Sequence, residues 1–260
     1  MQERAVIDMM KQNLFQEADT YRDRLKTARS IPADERASLD RYFRTGLSYS
    51  SNALEGNALT LEETRLLLVK GTVSGEKPLK AYLEVVGHAN AYDYMLSCAR
   101  DPQAVLTEDM IKKLHFLFYQ KIDLEAAGVY RDMPVYIPGT EYIPPLSEDV
   151  PHLMSHFIDQ ILSSAATLHP IERAAMALKR LLDIHPFTDG NGRTGRLLMN
   201  YLLIRDGYSA VSISPDRKEE YVNALIEAQT RKNPDPFIEL IGQCVLDTEK
   251  DYCRLLKLED

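Results

Sequence analysis

Twelve consecutive residues, His185 to Arg196, read HPFTDGNGRTGR. They gather an imidazole, a carboxylate, an amide, three glycines and two guanidiniums at the head of an apolar run. Packing has no use for such a mixture, whereas chemistry on a bound anion does. Gly190 and Gly192 flank Asn191, so the backbone there can take positive φ and approach a ligand closely. The stretch opens onto the helical pattern GRLLMNYLLIRDG, and the free amides of a helix start attract anions. Arg193 and Arg196 stand three apart on the first helical turns, where planar forks grip phosphate oxygens. Asp189 would repel a phosphate unless a cation lay between them, which reads as Mg²⁺ bridging carboxylate and phosphates. His185 titrates near neutrality and suits a general base. The set reads as a polyphosphate cradle equipped for nucleophilic attack on phosphorus.

This stretch resembles the Fic (Fido) family pattern H-x-F-x-D/E-G-N-G-R-x-x-R, matched at His185, Phe187, Asp189, Gly190, Asn191, Gly192, Arg193 and Arg196. The resemblance implies a protein adenylyltransferase, which moves AMP from ATP to a Ser, Thr or Tyr hydroxyl of a protein and releases pyrophosphate. It implies that His185 deprotonates the hydroxyl and that Asp189 holds Mg²⁺ against the α- and β-phosphates. Asn191 and the amides of Gly190 and Gly192 would cradle the phosphates, and Arg193 and Arg196 would orient the β/γ end. Thr194 and Gly195 fall inside the same nucleotide-binding stretch, and Phe187 would anchor the loop by packing inward. The resemblance spans roughly residues 45 to 242, including Gly128 to Arg131 (GVYR), and by position places Tyr221, Leu225 and Gln229 along the adenine and ribose pocket. Leu178 departs from the pattern, since many relatives carry His seven residues before the motif.

Ser51 to Gly56 reads SNALEG, which resembles the family's inhibitory motif S/T-x-x-x-E-G/N. Ser51 and Glu55 are then the inhibitory pair. A Glu55 carboxylate reaching Arg196 would form a bidentate pair on the group meant for the γ-phosphate, and ATP would bind misaligned. The plainer alternative makes Gly56 a helix C′ residue and Glu55 a solvated end charge.

Pro134 to Pro145 reads PVYIPGTEYIPP. β-Branched and aromatic residues flank Pro138-Gly139, a turn with Pro at i+1 and Gly at i+2, so a short β-hairpin is expected. In the family a flap here pairs with an extended segment of the target, which assigns docking to Val135, Tyr136, Ile137, Gly139 and Tyr142.

The elements that must position these groups read as helices. A charged amphipathic segment covers residues 2 to 29 and ends near Ile31-Pro32. One or two helices follow over 35 to 55, and Thr60-x-x-Glu63 is a capping box opening the next. Further helices are expected at Pro78 to Ala99, Thr107 to Gln120, Val150 to Ser163, Pro170 to Ile184, 216 to 231, and Pro236 to about Glu249, before a short charged end. The fold class is all-α, a Fic-type helical domain with a small β-hairpin flap. Residues 1–75 are expected to form an N-terminal helical extension carrying the inhibitory helix, 76–245 the catalytic domain and 246–260 a tail.

The 260 residues are 45% hydrophobic with net charge −8. That balance disfavours a nucleic-acid or anionic-membrane partner. Cys98, Cys244 and Cys253 suggest neither a disulfide framework nor a zinc site, and His88, His115, His152, His156 and His169 share no ligand spacing. With no apolar leader in the first residues and no bilayer-length apolar run, the cytoplasm is the expected compartment. The expected partner is a protein presenting a hydroxyl, with the chain itself (auto-AMPylation) and a homodimer open. Two other readings compete with autoinhibited transfer: a hydrolase that removes AMP using Glu55 to orient water, and a non-catalytic nucleotide-binding module.

Overall fold

The computed structural model describes residues 2–27, 32–73 and 75–258. Its helices are α1 (Gln2–Thr27), α2 (Ala33–Leu54), α3 (Leu61–Arg65), α4 (Leu79–Arg100), α5 (Glu108–Tyr119), α6 (Val150–Ser164), α7 (Pro170–Ile184), α8 (Asn191–Arg205), α9 (Lys218–Thr230) and α10 (Asp235–Leu255). Residues 35 to 54 thus belong to one helix with Glu55 as its C-cap, and the charged end at 250–255 is the last part of α10. Residues 28, 29 and 31, where the first helix was expected to end, lie outside the described residues.

The local signals act as their chemistry requires. Thr60 and Glu63 complete the capping box, with the Glu63 amide donating to Thr60 Oγ1 at 3.2 Å and the Thr60 amide donating to Glu63 Oε2 at 2.8 Å. The helix it opens is short and passes into a π-helical turn, Leu66–Lys70, that stops at Gly71 with φ +66°. Thr107 caps α5 by accepting from the Met110 amide.

α8 occupies the middle of the molecule, buried from Arg193 through Leu203, because Leu197–Leu203 is apolar but for Asn200 and the arginines before it are paired with Glu84, Ser51 and Glu55. Helices α2, α4, α5 and α7 pack around it, and α1 lies along α10. Two glycines set the closest approaches. A side chain at Gly195 would meet Leu178 Cδ1 at 2.8 Å, and one at Gly87 would collide with the Phe118 carbonyl. Leu178 is therefore a fully buried packing residue between α7 and α8. Asn200, also fully buried, holds the 208–214 segment against α8, donating to the Val211 carbonyl at 3.0 Å and accepting from the Val211 amide at 2.6 Å.

No β-strand forms among the described residues, so the hairpin expected at 134–145 is corrected to an extended loop. Its turn is present, with Gly139 at φ +81°. The two legs do not pair because Pro134, Pro138, Pro144 and Pro145 lack the amide hydrogens a ladder needs. The loop is held from below instead. Tyr142 donates from its hydroxyl to the Asp183 carbonyl at 3.0 Å, and the Arg131 guanidinium reaches the Pro145 carbonyl at 2.6 Å.

Candidate active site

α7 ends where the motif begins. His185 caps it in the left-handed region, φ +50°, with its amide bonded to the Leu181 carbonyl at 2.9 Å. That conformation is costly for a residue with a side chain, and Arg131 holds it. The Arg131 Nε donates to the His185 carbonyl at 2.8 Å, and its amide donates to the Pro186 carbonyl at 2.9 Å. Burial lowers the His185 pKa below its usual 6.5, with the Arg131 charge adding to it, against the opposing pull of the Leu182 carbonyl, Glu55 and Asp189. The ring is accordingly neutral at pH 7, the state a base needs.

The loop between α7 and α8 is locked by residues that spend themselves on it. Asn191 accepts from the Phe187 amide at 2.9 Å and donates back to the Phe187 carbonyl at 2.8 Å. Its side chain is therefore a loop brace, and it is the backbone amide of Asn191 that faces the cradle. Phe187 is fully buried and stacks flat on His115, centroids 3.8 Å apart. His115 accepts a hydrogen bond from the Gly128 amide at Nδ1 and so presents Nε2–H to the Asp189 carbonyl at 2.9 Å. Burial pushes His115 down to about 4, which keeps it neutral in this role. Gly190, at φ +81°, lies against His115 and Phe118 with no room for a side chain.

Among the described residues, the amides of Asn191, Gly192 and Arg193 have no acceptor, since the first helical bond of α8 runs from Thr194 to the Gly190 carbonyl. These three amides point out of a 15-residue helix start and form an anion site. The carboxylate of Glu55 lies beside Gly192 at its edge. A side chain at Gly192 would collide with that carboxylate. Gly56 does end α2 with positive φ, +87°, yet Glu55 is not a solvated end charge.

Arg196 anchors the contact. Its terminal nitrogen donates to Glu55 Oε1 at 2.7 Å and to the Ser51 carbonyl at 2.8 Å, while Nε donates to Ser51 Oγ at 2.9 Å. The expected bidentate pair is thus corrected to a single-oxygen contact, because Ser51 takes the rest of the fork. Burial opposes ionisation of Glu55, but the Arg196 charge and hydrogen bond, helped by Arg193, outweigh it and hold the carboxyl below its usual 4.5. Arg196 is 4% exposed and Glu55 36%, so the pair spans the boundary between core and mouth.

Arg193 faces elsewhere. It bonds Glu84 at 3.1 Å, Asn52 at 3.3 Å and Asp189 at 3.3 Å, and lies over the Phe118 ring at 4.3 Å. Asp189 places Oδ1 on the Gly190 amide at 2.6 Å and leaves Oδ2 with Tyr119 at 3.4 Å and Lys80 at 3.9 Å. A half-exposed carboxylate oxygen beside an anion site fits Mg²⁺, which is commonly held by one carboxylate plus substrate phosphates.

The other motif and expected pocket residues have the following surroundings. Thr194 is buried with an unpartnered hydroxyl, and Gly195 serves packing. Tyr221 is buried beside Arg196, Leu225 packs partly buried against the core, and Gln229 is a strut donating to Asp183 at 3.1 Å. Sequence reasoning missed His115 and Glu84, which carry no local motif and reach the site only through α5 and α4. Arg131 and Asn52 stood inside quoted motifs, GVYR and SNALEG, without a role.

These elements define a class: an all-helical domain whose central helix starts on an anion site with a neutral histidine at its edge. Residues 105–203 match the Fic/DOC family, and the chain carries a Fic/DOC family domain. It is 34% identical over 249 residues to protein adenylyltransferase Fic from Nematostella vectensis, covering 95% of this chain and 57% of that protein. The chain spans about half the length of the curated relatives it matches. Among solved structures, it is similar to a Fic domain containing signaling protein from Bacteroides thetaiotaomicron, with TM-score 0.85, 29% identity, and 94% and 99% of the two chains covered. It is also similar to Fic-1 from C. elegans, with TM-score 0.88, 27% identity, and 99% and 76% covered.

Proposed function

We propose that this chain transfers AMP from ATP to a protein hydroxyl, and that Glu55 restrains the transfer. The observation that carries the reading is the Glu55 carboxylate beside Gly192 at the start of α8 and bonded at 2.7 Å to Arg196, the guanidinium that a terminal phosphate would need. The name of the N. vectensis relative supports the reaction class.

When Glu55 swings out, the part of the Arg196 guanidinium that it held opens to the γ-phosphate while Ser51 keeps the rest, and the α8 amides accept the phosphate chain. Asp189 would hold Mg²⁺, which supplies charge neutralisation on the phosphates. The target hydroxyl oxygen attacks the α-phosphorus and its proton passes to the neutral His185 ring. The bond from the α-phosphorus to the bridging oxygen breaks, and that oxygen leaves with pyrophosphate. The target is presented along the 134–145 loop, whose extended backbone can take up a further strand.

The test is Glu55→Gly with labelled ATP, Mg²⁺ and protein substrates, including the chain itself. AMP incorporation should rise well above the parent. Arg196→Ala must not imitate this, and the double variant should be as poor as Arg196→Ala alone, because both residues act through one contact. One observation favours a second reading: Glu55 is ionised yet 36% exposed, so it could also orient water for AMP removal. A hydrolase would lose removal activity in Glu55→Gly with no gain in transfer.

A further inference from the structure

The approach to His185 has a surface of unusual make-up. Between Val129 and Asp149, five large apolar side chains lie exposed: Val129, Met133, Tyr136, Ile143 and Leu146, with Tyr136 at 84% and Ile143 at 75%. Apolar surface concentrated beside a reaction centre marks an interaction site. The same segment carries Asp132, Glu141, Glu148 and Asp149, all exposed. Its one cation, Arg131, is buried and spent on the carbonyls of His185, Met133 and Pro145.

The backbone adds direction. Among the described residues, the amides of Val135, Tyr136 and Ile137 have no hydrogen-bond partner in the chain. Tyr136 points outward while Val135 and Ile137 are half-buried, the alternation of a strand edge. Arg131 and Tyr142 tie this edge to residues 183–185, so whatever pairs with it lies beside His185.

Resting on the transfer reading above, we infer that this surface selects the protein substrate. The target is an extended segment whose hydroxyl residue is flanked by apolar side chains and bordered by lysine or arginine. The apolar flanks cover Met133, Tyr136 and Ile143, and the basic border answers Asp132 and Glu141. Such charge complementarity sets partner choice and register.

The experiment uses three synthetic peptides with a central Thr: one with apolar flanks and lysine borders, one with apolar flanks and glutamate borders, and one with Gly/Ser flanks and lysine borders. Binding is read by fluorescence anisotropy on the His185→Ala, Glu55→Gly protein, which needs no turnover. AMP transfer is read on Glu55→Gly. The lysine-bordered apolar peptide should bind most tightly and show the lowest KM, by roughly three- to tenfold over its glutamate counterpart, the yield of two exposed charge pairs. Asp132→Lys with Glu141→Lys should reverse the order of the two apolar peptides. Tyr136→Ser with Ile143→Ser should remove the advantage of apolar over Gly/Ser flanks. Equal binding of all three peptides, a preference for the glutamate borders, or an order unmoved by the charge reversal would overturn the inference. Ranked binding without AMP incorporation into any peptide or into the protein itself would overturn the transfer reading and leave the docking preference standing.

Discussion

At the residue scale the proposed transfer depends on the protonation state of one ring. Removing it in His185→Ala should lower transfer by at least ~10², the scale of a lost general base, while nucleotide binding by calorimetry stays within a few-fold. Retained transfer would remove His185 from the base role. The pH profile carries a sign. Because burial holds the His185 pKa below 6.5, the acid limb of transfer should lie below pH 6.5, with activity falling as the ring protonates. Glu55 and Asp189 raise that pKa, so the limb in Glu55→Gly should lie lower than in the parent, which keeps the carboxylate. An acid limb above 6.5 would show that another group governs the rate.

Helix geometry decides what a few small or amide side chains are for. Asn191 joins the end of the loop to the start of α8 through both bonds to Phe187. Replacing it with Ala strands two buried backbone groups, at about 1–3 kcal/mol each. Urea denaturation of Asn191→Ala should therefore show a loss of about 2 kcal/mol or more, and a loss below about 0.5 would mean the brace is dispensable. Gly87 tests the closest helix contact. Gly87→Ala drives a methyl into the Phe118 carbonyl, a backbone atom that cannot rotate away, so the α4–α5 spacing must widen at about 1–3 kcal/mol. Since α5 also carries His115, nucleotide affinity should fall with stability in that variant.

Across the whole molecule, buried titratable groups give stability a dependence on pH with two opposing slopes. His115 and His88 are pushed down to about 4 and about 3 by burial. Their unfolded forms bind protons first, so stability falls as pH drops below 6.5 toward those values. Glu249 behaves in the opposite sense. Burial raises it to about 7, and one of its oxygens has no partner while the other accepts from the Ser209 amide. Its protonated form is the favoured one in the folded state, so its contribution is present below 4.5 and is lost as pH rises through about 7. Glu249→Gln should then match the parent at pH 4.5 and exceed it at pH 8 by on the order of 1–3 kcal/mol, measured by urea denaturation at both values. Equal stability at pH 8 would show that Glu249 ionises without cost.

What the sequence determined by itself was chemistry that is local. The motif from His185 to Arg196, the capping box at Thr60, the turn at Pro138-Gly139 and the helical periodicities all lie within a few residues, where sterics and spacing act directly. From them came the family resemblance, the helical class and the expectation of a polyphosphate cradle. Tertiary structure decided which groups of that cradle are available, because availability depends on neighbours brought from far along the chain. Arg193 is drawn to Glu84 and Asn52, Arg196 to Ser51 and Glu55, and His115 arrives from α5 to hold Asp189. The hairpin failed to appear for a related reason. Alternating residues specify an extended leg, but a strand exists only when a second backbone supplies its hydrogen bonds, and the prolines deny that partner within the chain.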